Sequence, residues 1–301
     1  MRHVAIIGAG PTGLYATQAL TRSGCRVTLF NRDLRPGGLA EYGIFYTKHQ
    51  MKSGLRAQFD SILNDPNVEY FGGVTIHQQG DVTPRDLAGM GFDAVMVAVG
   101  AQGIKKPNLN NSFALRGVYD AKEIVYNYNG LPPWSEEPIQ FGCRLVIIGA
   151  GNVAVDIAHW AVRQGIPDIT FLVRRGPFQR AYSDRELQCI GGHIDRAALR
   201  EELERMSLQL ENTGATSHNA FTDIVRNLGN RTVPGSQSRI TFRYATEGSA
   251  AIGAGQQIVG LSIMDNALQL ENHGVTCRPL REGGILECDT LVFAVGDVID
   301  P

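Results

Sequence analysis

His3-Val4-Ala5-Ile6-Ile7-Gly8-Ala9-Gly10-Pro11-Thr12-Gly13-Leu14 opens the 301-residue chain and returns, at residue 145, as Leu145-Val146-Ile147-Ile148-Gly149-Ala150-Gly151-Asn152-Val153-Ala154-Val155. Each copy begins with an unbroken apolar run, the pattern of a strand buried on both faces of a parallel sheet. Each continues with G-x-G-x-x-G or G-x-G-x-x-A and then a helical pattern that stops at a glycine, Gly24 or Gly165. A second apolar strand follows in both places, at Arg26 to Phe30 and at Ile169 to Val173. A strand, a glycine loop, a helix and a strand, met twice, predict an α/β fold with two Rossmann-like parallel-sheet domains.

The three small positions of such a loop have separate physical tasks. The first (Gly8, Gly149) makes the tight turn out of the strand, and the second (Gly10, Gly151) leaves the backbone bare toward a pyrophosphate. The third (Gly13, Ala154) lets the helix lie close to the strand. A bound anion then faces unpaired N–H groups and the positive end of the helix dipole. Either loop taken alone could serve packing only; two in full strand–loop–helix–strand context favour two dinucleotide sites.

The strand that closes each unit indicates which dinucleotide it prefers. An acid usually stands there to hold ribose hydroxyls, yet the first unit ends Leu29-Phe30-Asn31-Arg32-Asp33. Asn31 can hydrogen-bond a hydroxyl but carries no charge. The second unit ends Leu172-Val173-Arg174-Arg175-Gly176-Pro177. Adjacent guanidinium groups suit a 2′-phosphate, so this site reads as NADP(H) rather than NAD(H).

Composition excludes several other classes. With 43% hydrophobic and 19% charged residues and a net charge of −2, the chain has no bulk bias toward nucleic acid or membranes. The five cysteines include no C-x-x-C, and the seven histidines show no metal-ligand spacing, so neither a dithiol relay nor a metal site is expected. No leader precedes the first strand and no apolar run approaches a membrane span, which predicts a cytoplasmic location. Residues 213–240, rich in Thr, Asn, Ser and Gly with Pro234, read as a long polar connection. Ile240 to Tyr244, Ile258 to Met264 and Asn266 to Leu270 read as a hairpin-like stretch.

Gly8 to Gly13, Pro36-Gly37-Gly38-Leu39 and Tyr42-Gly43-Ile44 resemble the FAD half of the adrenodoxin-reductase-type ferredoxin–NADP⁺ reductases. The same stretch is similar to the small subunit of glutamate synthase. The resemblance continues through Phe92 to Val95, Ala98 to Ala101, Gly117 to Tyr119 and Tyr128 to Pro132. It is most specific in Gly151 to Ala158, in Arg174 to Pro177, and in Ala181-Tyr182-Ser183 with Glu186-Leu187.

The resemblance implies the two-domain architecture of the glutathione-reductase-like flavoproteins. Residues 1–102 would bind FAD and 103–297 NADP, with 298–301 beginning a return to the first domain. It implies hydride transfer from NADPH to FAD and single electrons passed to an iron–sulfur carrier such as ferredoxin. Gly8, Gly10, Pro11, Thr12, Gly13, Asn31, Arg32, Gly38, Leu39, Gly43, Gly100 and Ala101 would hold FAD. Gly149, Gly151, Asn152, Val153, Arg174, Arg175 and Glu186 would hold NADP. Asp156, Lys48 and Glu186 are the candidate catalytic groups. Ser183 and Glu186 also have the spacing of a capping box, and Asp156 lies on a helix where the dipole favours a carboxylate.

Departures from the pattern keep alternatives open. Lys48 stands where the adrenodoxin-type enzymes place a histidine, and matches the glutamate-synthase relatives instead. Asn31 replaces the family's acid. The family adds a second flavin-binding segment after the strand formed here by Cys288 to Asp297. Its absence would leave an open sheet edge, and predicts a fragment, completion by another subunit, or weakened flavin binding. The alternatives are therefore an electron-entry or regulatory subunit that needs a partner chain, and a glutamate-synthase-like NADPH oxidoreductase.

Overall fold

A computed structural model describes residues 1–105, 109, 114–272 and 274–299. The chain divides into two compact units, one of Met1–Gly103, Val125–Glu137 and Asp297–Pro301, the other of Ile104–Ile124 and Pro138–Gly296.

The first unit is built on four parallel strands, β1 (His3–Ile7), β2 (Arg26–Asn31), β3 (Val68–Gly72) and β4 (Ala94–Val97), ordered β3-β2-β1-β4. Helix α1 (Pro11–Arg22) joins β1 to β2. Helices α2 (Leu39–Tyr42) and α3 (His49–Leu63) precede β3, and α4 (Pro84–Gly89) precedes β4. The apolar run of β1 is buried on both faces, as its unbroken pattern requires. Val4 and Ile6 pack with Leu14, Val27, Leu29, Phe59 and Ile62, while Ala5 packs with Phe30 and Leu87. Each fully buried Leu or Ile contributes roughly 2 kcal/mol, so this double packing fixes β1 at the centre. β4 forms one edge of the sheet, where Val95, Val97 and Val99 are 46%, 67% and 46% exposed.

The short β5 (Gly103–Ile104) leads to β6 (Val118–Asp120) of the second unit and to α5 (Ala121–Tyr128), whose residues from Val125 on belong to the first. Then come β7 (Arg144–Ile148), α6 (Asn152–Arg163), β8 (Asp168–Val173) and helices α7 (Asp184–Leu187), α8 (Arg196–Arg205), α9 (Ser207–Glu211) and α10 (Ser217–Leu228). Strands β9 (Arg239–Tyr244), β10 (Thr246–Ala254), β11 (Gln257–Glu271), β12 (Gly274–Glu287) and β13 (Thr290–Phe293) follow in the same unit, and β14 (Asp297–Val298) belongs to the first. Five strands form a parallel sheet ordered β6-β13-β7-β8-β9. The antiparallel sheet β10-β11-β12 covers one face, with Ile258, Leu261 and Ile263 packed on Val146, Leu172, Leu291 and Phe293. The α/β class with two parallel sheets is as the repeated motif predicts.

Two local expectations fail. The stretch 213–240 is not one long connection, because α10 occupies Ser217–Leu228. Thr216 caps it by accepting from the Asn219 N–H at 3.1 Å, and Ala220, Ile224 and Leu228 form a buried stripe at i, i+4 and i+8. The hairpin-like stretch is also misdrawn. Ile240 to Tyr244 belongs to β9, which pairs in parallel with β8, and the two later pieces are one continuous strand, β11. Its antiparallel partners are β10 and β12.

Candidate functional site

In the first unit, the end of β1 turns sharply at Gly8, whose φ is +104° and whose N–H donates to Phe30 O at 2.8 Å. A methyl group there would lie 2.6 Å from Ala98 O. At Gly13 a methyl would lie 1.9 Å from Gly8 O, so α1 approaches the loop too closely for any side chain. Gly10 behaves differently, since a methyl there meets no protein atom within 4 Å. Its bareness serves nothing inside the protein. It keeps open a cradle at the N-terminus of α1, where Pro11 and Thr12 begin the helix. No side chain caps that end and no acid stands in the first turn. Open space over unsatisfied N–H groups fits a pyrophosphate.

The Pro36-Gly37-Gly38 turn closes against this loop. Gly37 N–H donates to Ala9 O at 2.7 Å, and a methyl at Gly38 would come within 3.0 Å of the Gly10 Cα. Helix α2 follows at once, with half-exposed Leu39 leading it and the Gly43 N–H bonded to Leu39 O at 2.8 Å. Asn31, buried at the end of β2, accepts from the Ala9 N–H through Oδ1 at 3.0 Å. Its Nδ2 donates to Asp33 O at 2.7 Å and lies 3.3 Å from Arg35 O. An acid at this position could accept from Ala9 but could not donate to Asp33 O. The amide thus ties the glycine loop to the turn after β2.

Arg32 contacts Asp33 at 2.9 Å and reaches within 3.5 Å of Gln102 Oε1. Gln102 Nε2 in turn donates to Val99 O at 2.6 Å, beside the turn at Gly100 and Ala101. The structure therefore gathers Gly8, Gly10, Gly13, Asn31, Arg32, Gly38, Gly100 and Ala101 around one loop. Lys48 instead begins α3, with its N–H bonded to Phe45 O at 3.0 Å.

A charged group behind the loop had no signal in the sequence. Glu41, 5% exposed, forms a two-pronged pair with Arg56 at 2.6 and 2.7 Å. Burial alone would raise the Glu41 carboxyl; the Arg56 hydrogen bonds, with Lys52 and Arg35 nearby, hold it below the usual range. Burial pushes the Lys52 ammonium down. Lys52 donates to Asn129 Oδ1 at 2.9 Å, and Asn129 donates to Tyr42 O at 2.8 Å. These partners stand 15 to 87 positions apart in the chain, beyond any local motif.

The second unit repeats the loop. Gly149 turns with φ +126°, donates to Leu172 O at 3.0 Å, and has room for no methyl, which would lie 2.2 Å from Ala294 O. Gly151 again faces open space at the uncapped N-terminus of α6. Ala154, fully buried, takes the third position. Asn152 Oδ1 accepts from the Ser183 N–H at 2.8 Å and Ala181 N–H donates to Ala150 O at 3.0 Å. These bonds bring α7, with half-buried Glu186, beside the loop. They also prevent the expected capping box: the Ser183 N–H that Glu186 would satisfy is taken by Asn152, and the Ser183 hydroxyl makes no cap bond. Val153 is exposed beside Asn152, whereas Asp156, one helical turn on, is 7% exposed.

Arg174 and Arg175 follow the last residue of β8. Both are exposed, and neither guanidinium forms an ion pair among the described residues. Burial pushes the Cys288 thiol up to about 12, which keeps it an inert thiol in the core. Among the described residues no cluster of His, Cys, Asp and Glu could hold a metal ion, and no helix is long and apolar enough to cross a membrane.

This paired geometry agrees with comparisons to known proteins. NADPH-ferredoxin reductase FprA of Mycobacterium leprae is 27% identical over 304 residues, covering 91% of this chain and 65% of that protein. Bovine (Bos taurus) mitochondrial NADPH:adrenodoxin oxidoreductase is 28% identical over 208 residues, 62% of this chain and 41% of that protein. The chain thus spans less than two thirds of the length of the curated relatives it matches first. The structure of Mycobacterium tuberculosis FprA in complex with NADPH superposes with a TM-score of 0.81 at 25% identity. That match covers the whole of this chain and 72% of the other. The sequence profile described as pyridine nucleotide-disulphide oxidoreductase matches residues 2–218. The chain belongs to the pyridine nucleotide-disulphide oxidoreductase family.

Proposed function

We propose that the chain is an NADPH-dependent flavin oxidoreductase that binds FAD in the first unit and NADP(H) in the second, and serves an iron–sulfur electron carrier. One observation carries this reading: both glycine loops keep their middle position open over an uncapped helix N-terminus. The family and the likeness to FprA support it.

The residues divide the work. Gly8, Gly10 and Gly13 shape the first anion seat, Gly38 and Leu39 border it, and Asn31 fixes its outline from behind. Gly149, Gly151 and Asn152 shape the second. Arg174 and Arg175 offer two permanent charges, unspent on any described partner, to a 2′-phosphate. Asp156, buried on α6, and Glu186, held beside the loop by Asn152, stand as the second unit's candidate catalytic groups. Lys48 holds that place in the first. Once bound, the two nucleotides supply hydride transfer followed by one-electron release, chemistry that belongs to the cofactors.

A purified protein that is yellow and bleached by NADPH without oxygen is expected. A colourless protein that takes up no added FAD overturns the flavin assignment. A second reading, an electron-entry subunit that needs a partner chain, is favoured by the exposed valines of the β4 edge. Diaphorase activity in the isolated chain decides against it.

A further inference from the structure

The carbonyls of Arg174 and Arg175 are both held from the corner where the chain leaves β9 for β10 and meets β11. Ala245 N–H donates to Arg175 O at 2.9 Å. Asn266 Nδ2 donates to Arg174 O at 3.3 Å, and Asn266 N–H donates to Ala245 O at 2.7 Å. The two residues thus form a bracket that holds the backbone of the arginine turn.

Several features show that the bracket is rigid and costly. Ala245 has φ +48°, the one left-handed residue other than glycine among the described residues. Such a conformation persists only where the surroundings impose it. Here Glu202 Oε1 accepts from the Tyr244 N–H at 2.6 Å, while Arg205 and Thr246 donate to Tyr244 O at 2.7 and 2.8 Å. Glu202 and Asp265, both buried, are themselves paired with Arg205 and Arg243. Asn266 is 1% exposed, and its Oδ1 has no hydrogen-bond partner among the described residues. An apolar residue would fill that space without stranding an oxygen, so the amide is explained by the bond that its other end makes to Arg174.

We infer that Asn266, with Ala245, is a positioning residue that sets the discrimination between nucleotides with and without a 2′-phosphate. It acts by fixing the backbone from which Arg174 and Arg175 project. Their side chains gain nothing from the bracket directly. Two flexible guanidinium groups rooted on a fixed turn lose less freedom on binding than the same pair rooted on a mobile one. This rests on the reading of the second site as NADP(H)-specific.

Calorimetric titration of the whole chain with 2′,5′-ADP and with 5′-ADP tests the bracket. Asn266→Ala is expected to weaken 2′,5′-ADP about tenfold and to leave 5′-ADP nearly as it was. Equal weakening of both, or of neither, overturns the inference. If Asn266→Ala does not fold, as judged by its melting transition, Asn266→Ser is read in the same way, with a smaller loss of the same kind expected. The variant Arg174→Ala/Arg175→Ala separates the two layers of the argument. If it binds 2′,5′-ADP as the wild type does, the NADP(H) reading itself falls. If it loses that binding while the Asn266 variants keep it, only the role of Asn266 falls.

Discussion

The two glycine loops are alike where they face phosphate and unlike where they end. Both keep an open middle glycine and an uncapped helix. In the first, the residue closing β2 is a neutral amide turned inward, spent on Ala9 and Asp33 of its own loop. In the second, the residues that follow β8 are two exposed arginines whose guanidinium groups have no ion-pair partner among the described residues. On the proposed function the shared part would recognise what all dinucleotides have in common. On the proposed function the unlike part would tell one nucleotide from another, because only after β8 do the guanidinium groups stand without an acid partner among the described residues, whereas Arg32 after β2 pairs with Asp33.

The sharpest way to break the symmetry is at the third small position. Gly13→Ala would force a methyl to 1.9 Å from Gly8 O, and is expected to abolish flavin retention and cost about 2 kcal/mol or more of stability in a denaturant melt. The opposite change in the second loop, Ala154→Gly, should cost only about 1 kcal/mol, from helix propensity. Comparable losses would show that the loops are not packed differently. Next in size, Arg174→Ala/Arg175→Ala should weaken NADPH about 100-fold, the scale of two charge-assisted hydrogen bonds, with NADH little changed in a KM comparison. Equal losses for both nucleotides would remove the contrast between the strand ends.

The middle glycines give a smaller, cleaner effect. Since neither faces protein atoms, Gly10→Ala and Gly151→Ala should melt within about 0.5 kcal/mol of wild type. Each should weaken only its own nucleotide, by about tenfold, as read by flavin release for one and NADPH titration for the other. Smallest is a pH effect confined to the first unit. The folded Glu41 carboxyl lies below its ordinary 4.5. Its pairing therefore stabilises the fold fully above that pH and is lost as pH falls through the folded value. The stability gap between wild type and Glu41→Gln should shrink as pH drops below 4.5; a gap independent of pH would sink this assignment.

The repeated loop was legible because its demands are local: a glycine with positive φ, a bare glycine and a small one, at fixed spacing after an apolar strand. Strands β1, β2, β7 and β8 and helices α1 and α6 follow from it. Elements held by distant partners were not legible. The stripe of Ala220, Ile224 and Leu228 in α10 was masked by the polar residues around it. Strand β12 is largely exposed, so it lacks the alternation that marks a half-buried strand. At Asn31 the sequence reveals a missing acid; the direction in which the amide points depends on Asp33 O and Ala9 N–H. The capping box at Ser183 fails for the same kind of reason, through a competitor 31 residues away.

The route of the chain has a practical consequence for dissecting it. Val125–Glu137 belongs with the first unit although Ile104–Ile124 lies in the second. Asn129, on that returning segment, accepts from buried Lys52 and donates to Tyr42 O. A polypeptide cut after residue 103 would leave an ammonium group enclosed without its acceptor and a carbonyl without its donor, each a destabilising loss. The first unit is thus a discontinuous piece of covalent chain, and gene boundaries drawn at the glycine repeats would not coincide with the boundaries of folding.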